Sequence, residues 1–340
     1  MRGYSCTPGR HSARRVRAPL PRGAGRAAHP RAPVLAMADL ASAPAFLERV
    51  HARLVALGLD AELAAPAARV DHVCWRVPTR AAYARAVSAA LAEGHELAVE
   101  SEIGGRPIMV LKLRDPIVWG GLSVPALELP APKPGRPKPE GWEHIEVALG
   151  VGALSGAAGV RALEEMVARH PGLEWDTKSL SKAINPEVSV ALGNGACVKF
   201  HCVPLLDVAA HELAAGLVVP VMPPPGTYAR IVRKPMIRHE DDDGCNSTEA
   251  FEETIALAPG GLAVHCSPPQ GSCRLAPTEL LVACARLPGG GMELQFEPLA
   301  PPSAASARGA GVPLPPTLRW GGDDSATLES ADDGAAFVRR

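Results

Sequence analysis

Aromatic residues make up only 4% of the 340 residues, too few for the base-stacking platforms of single-stranded nucleic-acid binders. Net charge is nearly absent as well. The 35 Lys and Arg against 36 Asp and Glu leave −1, so no overall field draws in DNA or an anionic membrane. No apolar run approaches the ~18 residues of a membrane span, and the longest candidate, Leu213 to Met222, is cut by Pro220. The eight cysteines are scattered without a C-x-x-C pair, which suggests neither a zinc ribbon nor a disulfide framework. A soluble protein of a reducing compartment is expected, with no nucleic-acid and no membrane partner.

Glycine and proline, by contrast, are abundant, at 33 and 35 residues. Together they exceed the average usage of roughly 12%, so much of the chain is loop or linker. Length alone suggests about two domains. Residues 1 to 38 hold eight Arg and no acid, leaving −9 for the remainder. The head, residues 1–36, reads as an organelle transit segment for a mitochondrion or plastid. Its alternatives are a disordered basic tail or an over-extended gene start with Met37 as the beginning, which would leave the protein cytoplasmic.

Hydrophobic periodicity organises the chain beyond the head. Phe46, Val50, Leu54 and Leu57 recur at helical steps up to a stop at Gly58. Val70 to Val77 alternates as a strand, Thr79 to Glu93 reads as a helix, and His95–Ile103, Arg106–Leu113 and Val124–Leu129 read as strands. A proline-rich connector spans Pro130 to Gly141. The order then repeats: strand Glu143–Leu149, helix Val160–His170, strands Leu173–Lys182, Glu187–Leu192 and Ala196–Val203. An internal repeat of about 70 residues lets two modules, 69–130 and 141–205, pair their sheets around a shared cleft inside a domain spanning 37–215. Residues 216–227 read as a linker, 228–298 as a small antiparallel β module, and 299–340 as a disordered tail by composition. The fold class expected is α+β, with paired βαβββ modules forming a curved mixed sheet and a small antiparallel β region after it.

In a strand, residues two apart share a face. His72, Cys74 and Arg76 therefore point one way, as do His144 and Glu146, and Lys199 and His201, while Glu128 lies between Leu127 and Leu129. The opposite faces carry Val73, Trp75, Ile145, Val147, Val198 and Phe200. Four strands with one polar and one apolar side enclose something wet. Three imidazoles and a carboxylate from the first and last strands of two repeats suit a divalent zinc, nickel, manganese or iron ion with positions open for substrate. The same residues are open to a polar cleft without metal, or to a set of rim histidines.

Other motifs carry less. Gly150 to Gly156 has the setting of a dinucleotide fingerprint but places Ser155 where glycine is required. Gly121-Leu-Ser-Val-Pro125 lacks the final glycine of a nucleophile elbow and reads as a strand start. The contiguous acids after His239 read as a solvated loop, and His170 and His211 as helix-surface residues.

Asp71-His72, Gly105-Arg-Pro-Ile108, Leu127-Glu-Leu-Pro130, Gly141-Trp-Glu-His-Ile-Glu146, Asn185-Pro186 and Lys199-Phe-His201 together resemble the YecM-like proteins over roughly residues 44 to 215. That family in turn resembles the vicinal oxygen chelate superfamily, which includes glyoxalase I, extradiol dioxygenases and antibiotic-sequestering proteins. The resemblance implies paired βαβββ modules with one divalent ion on His72, Glu128, His144 and His201. The Arg-rich head and the residues after about 215 have no counterpart in it. The function expected is a metal-dependent isomerase, lyase or dioxygenase acting on a small oxygen-bearing substrate. Glu128 or Glu146 would move the proton, Lys199 would hold the substrate, and Arg76 would either hold a substrate carboxylate or phosphate or form a salt bridge to a neighbouring strand. A binding or sequestering protein using the same cleft is the alternative, and the oligomeric state is open.

Overall fold

The computed structural model describes residues 40–136, 138–150, 157–223, 225–235, 248–266, 277–288, 291–299, 315, 317–321, 327–331 and 335–340. The expected head, residues 1–36, therefore lies outside the described residues, as do 151–156 of the glycine-rich segment and the acids after His239. No helix of the described residues is long and apolar enough to cross a membrane.

Helix α1 (Ala43–Ala56) buries Phe46, Leu47, Val50 and Leu54, the stripe predicted by the three- and four-residue steps. A short helix α2 (Asp60–Leu63) comes next. The first module runs β1 (Arg69–Arg76), α3 (Arg80–Ala92), β2 (Glu96–Glu102), β3 (Pro107–Trp119) and β4 (Leu122–Pro130). The second runs β5 (Gly141–Ala148), α4 (Ala157–Arg169), β6 (Trp175–Asp176), β7 (Glu187–Gly193) and β8 (Ala196–His201), and is followed by α5 (Leu205–Ala214). The βαβββ repeat is thus present. Two strands differ from expectation: β3 runs on past Leu113 to Trp119, and of Leu173–Lys182 two residues pair as a strand and Lys178–Ser181 turn as a 3-10 helix. There the Asp176 carboxylate accepts from the Lys178 N–H at 3.1 Å and starts the turn.

All eight strands form one mixed sheet in the order β2-β3-β4-β1-β5-β8-β7-β6. β1 runs parallel to β4 and β5 parallel to β8, while the two first strands meet antiparallel at the centre. This is the pseudo-twofold arrangement that two copies of one module produce, and it places both first and both last strands side by side. One face is apolar. Val73, Leu127, Leu129, Ile145, Val147, Val198 and Phe200 pack there with α1, α3 and α4 in a single core. Trp142 fastens α1 to the sheet by stacking on Phe46 at 5.8 Å and donating its indole N–H to the Ser42 hydroxyl at 2.9 Å.

Eight further strands, β9 (Gly226–Pro235), β10 (Thr248–Ala258), β11 (Leu262–Cys266), β12 (Thr278–Arg286), β13 (Met292–Pro298), β14 (Leu318–Trp320), β15 (Thr327–Ser330) and β16 (Ala336–Arg339), form a closed antiparallel barrel. The small β module expected at 228–298 is therefore larger than predicted. The segment expected as a disordered tail, 299–340, supplies the last three strands, and the expected linker gives up Gly226 and Thr227 to β9. Five strands alone would leave two unpaired edges. The short final strands turn Leu318, Trp320, Leu328 and Phe337 into the barrel core, and β16 pairs with β9 to close it.

The barrel touches the sheet unit through a 3-10 turn at Pro259–Gly261. Glu100 of β2 accepts from the Tyr83 hydroxyl at 2.7 Å and from the Gly260 N–H at 3.2 Å. Gly260 has φ 82, and a Cβ there would sit 2.8 Å from Val87 of α3. Gly260→Ala is expected to cost about 2 to 3 kcal/mol, from left-handed backbone strain of roughly 1–2 kcal/mol plus displacement of Val87. Denaturant unfolding of the two proteins measures it.

Candidate metal centre

The strand pairing brings the polar residues into two rows across the sheet. Glu128, Cys74, His144 and Cys197 stand in register on β4, β1, β5 and β8. His72, Glu146 and Lys199 form the next row on β1, β5 and β8. His201 lies opposite Ala148, one pair farther along. Burial is nearly complete: His72 and His201 are 0% exposed, His144 3% and Glu146 5%. Solvent reaches the site at Glu128, Glu143, Arg76 and Lys199, whose side chains are partly exposed.

Four donor groups converge. Ligand-capable atoms of His72, Glu128, His144 and Glu146 all lie within 4.8 Å of one another. His72 Nε2 is 3.6 Å from Glu128 Oε2 and 3.5 Å from Glu146 Oε1. His144 Nε2 is 3.9 and 3.2 Å from the same two oxygens. Both Nε2 atoms are buried without a hydrogen-bond partner, an arrangement that costs free energy unless something else fills it.

The opposite ring nitrogens are held. His72 Nδ1 donates to Asp71 Oδ2 at 2.9 Å, and that oxygen also accepts from the Leu205 N–H at the start of α5 at 2.8 Å. His144 Nδ1 faces Glu143 Oε2 at 3.3 Å, and Arg76 pairs with the same carboxylate. An imidazole that donates through Nδ1 keeps its Nε2 lone pair for a cation, and a carboxylate in that position is the usual outer partner of a metal-bound histidine.

His201 is oriented the other way round. The Asn185 amide donates to its Nδ1 at 2.6 Å and to the Val203 carbonyl at 3.1 Å, while the Asn185 carbonyl accepts from the Val203 N–H. A ring that accepts at Nδ1 carries its proton on Nε2, which here lies 3.5 Å from Asp71 Oδ2 and 3.9 Å from Glu146 Oε2 and, like the other two, is buried without a hydrogen-bond partner. His201 therefore groups with Asp71 and His72 rather than with the four converging residues.

The packing also sets the charges. Burial pushes the Glu128 carboxyl up, but the nearby His144 and His72 rings and the Lys199 charge hold it well below the usual range. Burial likewise opposes ionisation of Glu146, and the Lys199 ammonium and His72 outweigh it. Glu143, between His144 and Arg76, drops to about 2 in spite of its burial. Two permanent cations sit among these acids: Arg76 pairs with Glu143 and Lys199 with Glu146. Burial opposes a charge on His72 and His144, but the acidic groups around them hold both imidazoles well above the ordinary value, so without a metal the two rings carry protons that face Glu128 and Glu146.

The structure accordingly brings together His72, Glu128 and His144 of the ligand set expected from sequence, adds Glu146, and sets His201 beside them. Arg76 and Lys199, expected to hold substrate, have their charges engaged with glutamates. Asp71, Glu143 and Asn185 carry orienting contacts that residue spacing did not assign. Two of them precede the histidines they orient, so Asp-His and Glu-His at matching repeat positions were the available signal. Of the competing motifs, Ser123 sits in β4 immediately after a tight turn at Gly120 and Gly121, as a strand start requires.

Protein YecM of Escherichia coli K12 is 33% identical over 125 residues, covering 35% of this chain and 66% of that protein. An uncharacterised protein of Haemophilus influenzae Rd is 31% identical over 80 residues, covering 24% of this chain and 41% of that one. The chain thus spans less than two thirds of either curated relative. A solved structural-genomics protein, EC4020, is 28% identical and covers 51% of this chain and 91% of its own, with a TM-score of 0.41. The YecM protein family matches residues 39–212, which contain the whole eight-stranded sheet and every residue of the site. The chain belongs to the YecM family.

Proposed function

We propose that this protein is a divalent-metal-dependent enzyme of the vicinal oxygen chelate type, acting on a small molecule with two adjacent oxygens. The ligand set is His72, Glu128, His144 and Glu146. One observation carries the reading: two buried Nε2 atoms without partners, each fixed from behind by a carboxylate, face two ionised glutamates. Donor atoms ~2.1 Å from one ion stand ~3.0 to 3.4 Å apart at octahedral to tetrahedral angles. The N···O separations of 3.2 to 3.9 Å come close to that spacing. A dipositive ion would take the place of the protons that the two imidazoles hold beside these glutamates, and nitrogen with oxygen donors suits zinc, nickel, manganese or iron.

When bound, such an ion supplies Lewis-acid polarisation of a substrate carbonyl. The chain's own residues do the rest. Asp71 and Glu143 hold the two imidazoles in the ligating tautomer, and Arg76 keeps Glu143 in place. Lys199 ties Glu146 into the wall, so Glu128, at the solvent opening, takes up and returns the substrate proton. The apolar layer beneath, with Val73 and Ile145, excludes water from the other side.

The near-complete burial of the site favours a second reading, a protein that sequesters a small ligand without turning it over. A panel of α-oxoaldehydes, catechols and α-hydroxyketones offered to the metal-loaded full chain separates the two. Turnover of one of them is expected, with Glu128→Gln lowering kcat by about 10²- to 10⁴-fold, the range of a lost acid–base group. Saturable binding with no turnover of any of them would leave the sequestering role.

A further inference from the structure

A cavity of about 710 Å³ opens where the sheet unit meets the barrel, outside the four-residue cluster. Its walls come from five separate segments, four of which bring a cation. Arg80 stands at the first turn of α3, Arg106 comes just after the β2–β3 turn, Lys133 belongs to the proline-rich connector and Arg286 to β12 of the barrel. The one acid among its lining residues, Glu102, is already paired with Arg286 at 3.3 Å.

With Arg286 paired to Glu102, three cations are left among the lining residues, Arg106 with Glu128 and Glu143 within electrostatic reach. Two of the cleft's guanidinium nitrogens, Arg80 Nη1 and Arg106 Nε, are buried without an acceptor. Arg106 cannot easily swing away, since its Nη1 donates to the Ala131 carbonyl at 3.1 Å. Arg80 reaches over Tyr83, with its guanidinium 5.3 Å from the ring centre, toward Gly261 of the barrel turn. Buried guanidinium donors call for anionic oxygens, planar forks match the paired oxygens of phosphate or carboxylate, and several cations facing one cleft call for more than one anionic group. The first turn of α3, at Pro78 and Arg80, adds the positive end of a thirteen-residue helix. The volume lies within the range of small-molecule sites.

We infer that this cleft binds a small molecule bearing two or more phosphates. Because Ala283, Cys284 and Arg286 of the barrel line it, the segment beyond the YecM match completes a site that the sheet unit alone only begins. The inference does not depend on the metal reading.

Calorimetric titration of the full chain with inorganic pyrophosphate, in about 0.1 M salt and excess EDTA, tests it. EDTA removes binding through a metal ion. One saturable site in the micromolar range is expected. Arg80→Gln and Arg106→Gln should each weaken it about tenfold or more, the effect of losing a charge-assisted hydrogen bond. Lys133→Gln, at an exposed position, should weaken it several-fold with the fold intact, which keeps the test decisive if an arginine variant does not fold. Lys112→Gln, on β3 and paired with Glu96 away from the cleft, should change nothing. Absence of saturable binding, undiminished binding by the cleft variants, or an equal loss in Lys112→Gln would overturn the inference.

Discussion

His144→Ala is expected to lower divalent-metal affinity by more than about 100-fold, beyond the 10- to 100-fold that loss of an outer-sphere partner costs. The substitution deletes one of the two unpartnered Nε2 atoms that face Glu128 and leaves that carboxylate with a single imidazole. Asp71→Asn should fall inside the outer-sphere range, because His72 stays in place and loses only the carboxylate that fixes its tautomer. His201→Ala should cost less than His144→Ala, since its hydrogen bond from Asn185 turns its lone pair away from the cluster. Competition with a chromophoric chelator ranks the three. Equal losses for His201 and His144 would mean that His201 is a ligand after all.

Glu253→Ala is expected to destabilise the barrel by about 3 to 5 kcal/mol, the effect of removing one partner from a buried ion pair. Glu253 shares the inward face of β10 with Ile255 and Leu257 and is 5% exposed. It accepts from Arg230 Nε at 2.7 Å and from His265 Nε2 at 2.8 Å. Burial pushes its carboxyl up, but these two donors prevail and hold it below the ordinary value. A carboxyl depressed in the folded state stabilises above its unfolded pKa of ~4.3, and that contribution is lost as pH falls through the folded value. The wild type should therefore lose stability on acidification from about pH 5 downward, and the variant should lose less over the same window. Its neighbour Glu252 points outward and pairs with Arg340; Glu252→Ala should cost under about 1 kcal/mol. Denaturant unfolding followed by Trp320 fluorescence, in the barrel wall, reads both.

Much of the sheet unit was legible because period-two alternation survives in β1, β4, β5 and β8 with an apolar row on one side. The Asp-His and Glu-His pairs recur at matching positions of the repeat, and so they pointed to the faces that meet. Alternation assigns a face, however, and not a depth along it. Lys199 and His201 share a face, yet register sets Lys199 beside Glu146 and carries His201 one pair beyond, where Asn185 captures it. Nor does spacing show which charges neutralise each other. Arg76 reads equally as a substrate holder or a salt bridge to a neighbouring strand and Lys199 as a substrate holder, and only packing shows them paired with Glu143 and Glu146. The barrel was legible as far as its longer strands. β14, β15 and β16 have three or four residues each, too short to display a period, and the polar and proline-rich stretches around them resemble disordered sequence. What makes them strands is closure, a long-range pairing of β16 with β9 that no local window contains.

Metal content of the purified full chain bears most directly on the central claim. After equilibration with zinc, nickel, manganese or ferrous iron in turn, and removal of free metal, elemental analysis should find about one equivalent of at least one ion per chain, and His144→Ala should retain none of it. A wild-type chain that keeps no ion under any of the four conditions, or a His144→Ala chain that keeps as much as the wild type, would contradict the assignment of His72, Glu128, His144 and Glu146 as a metal centre.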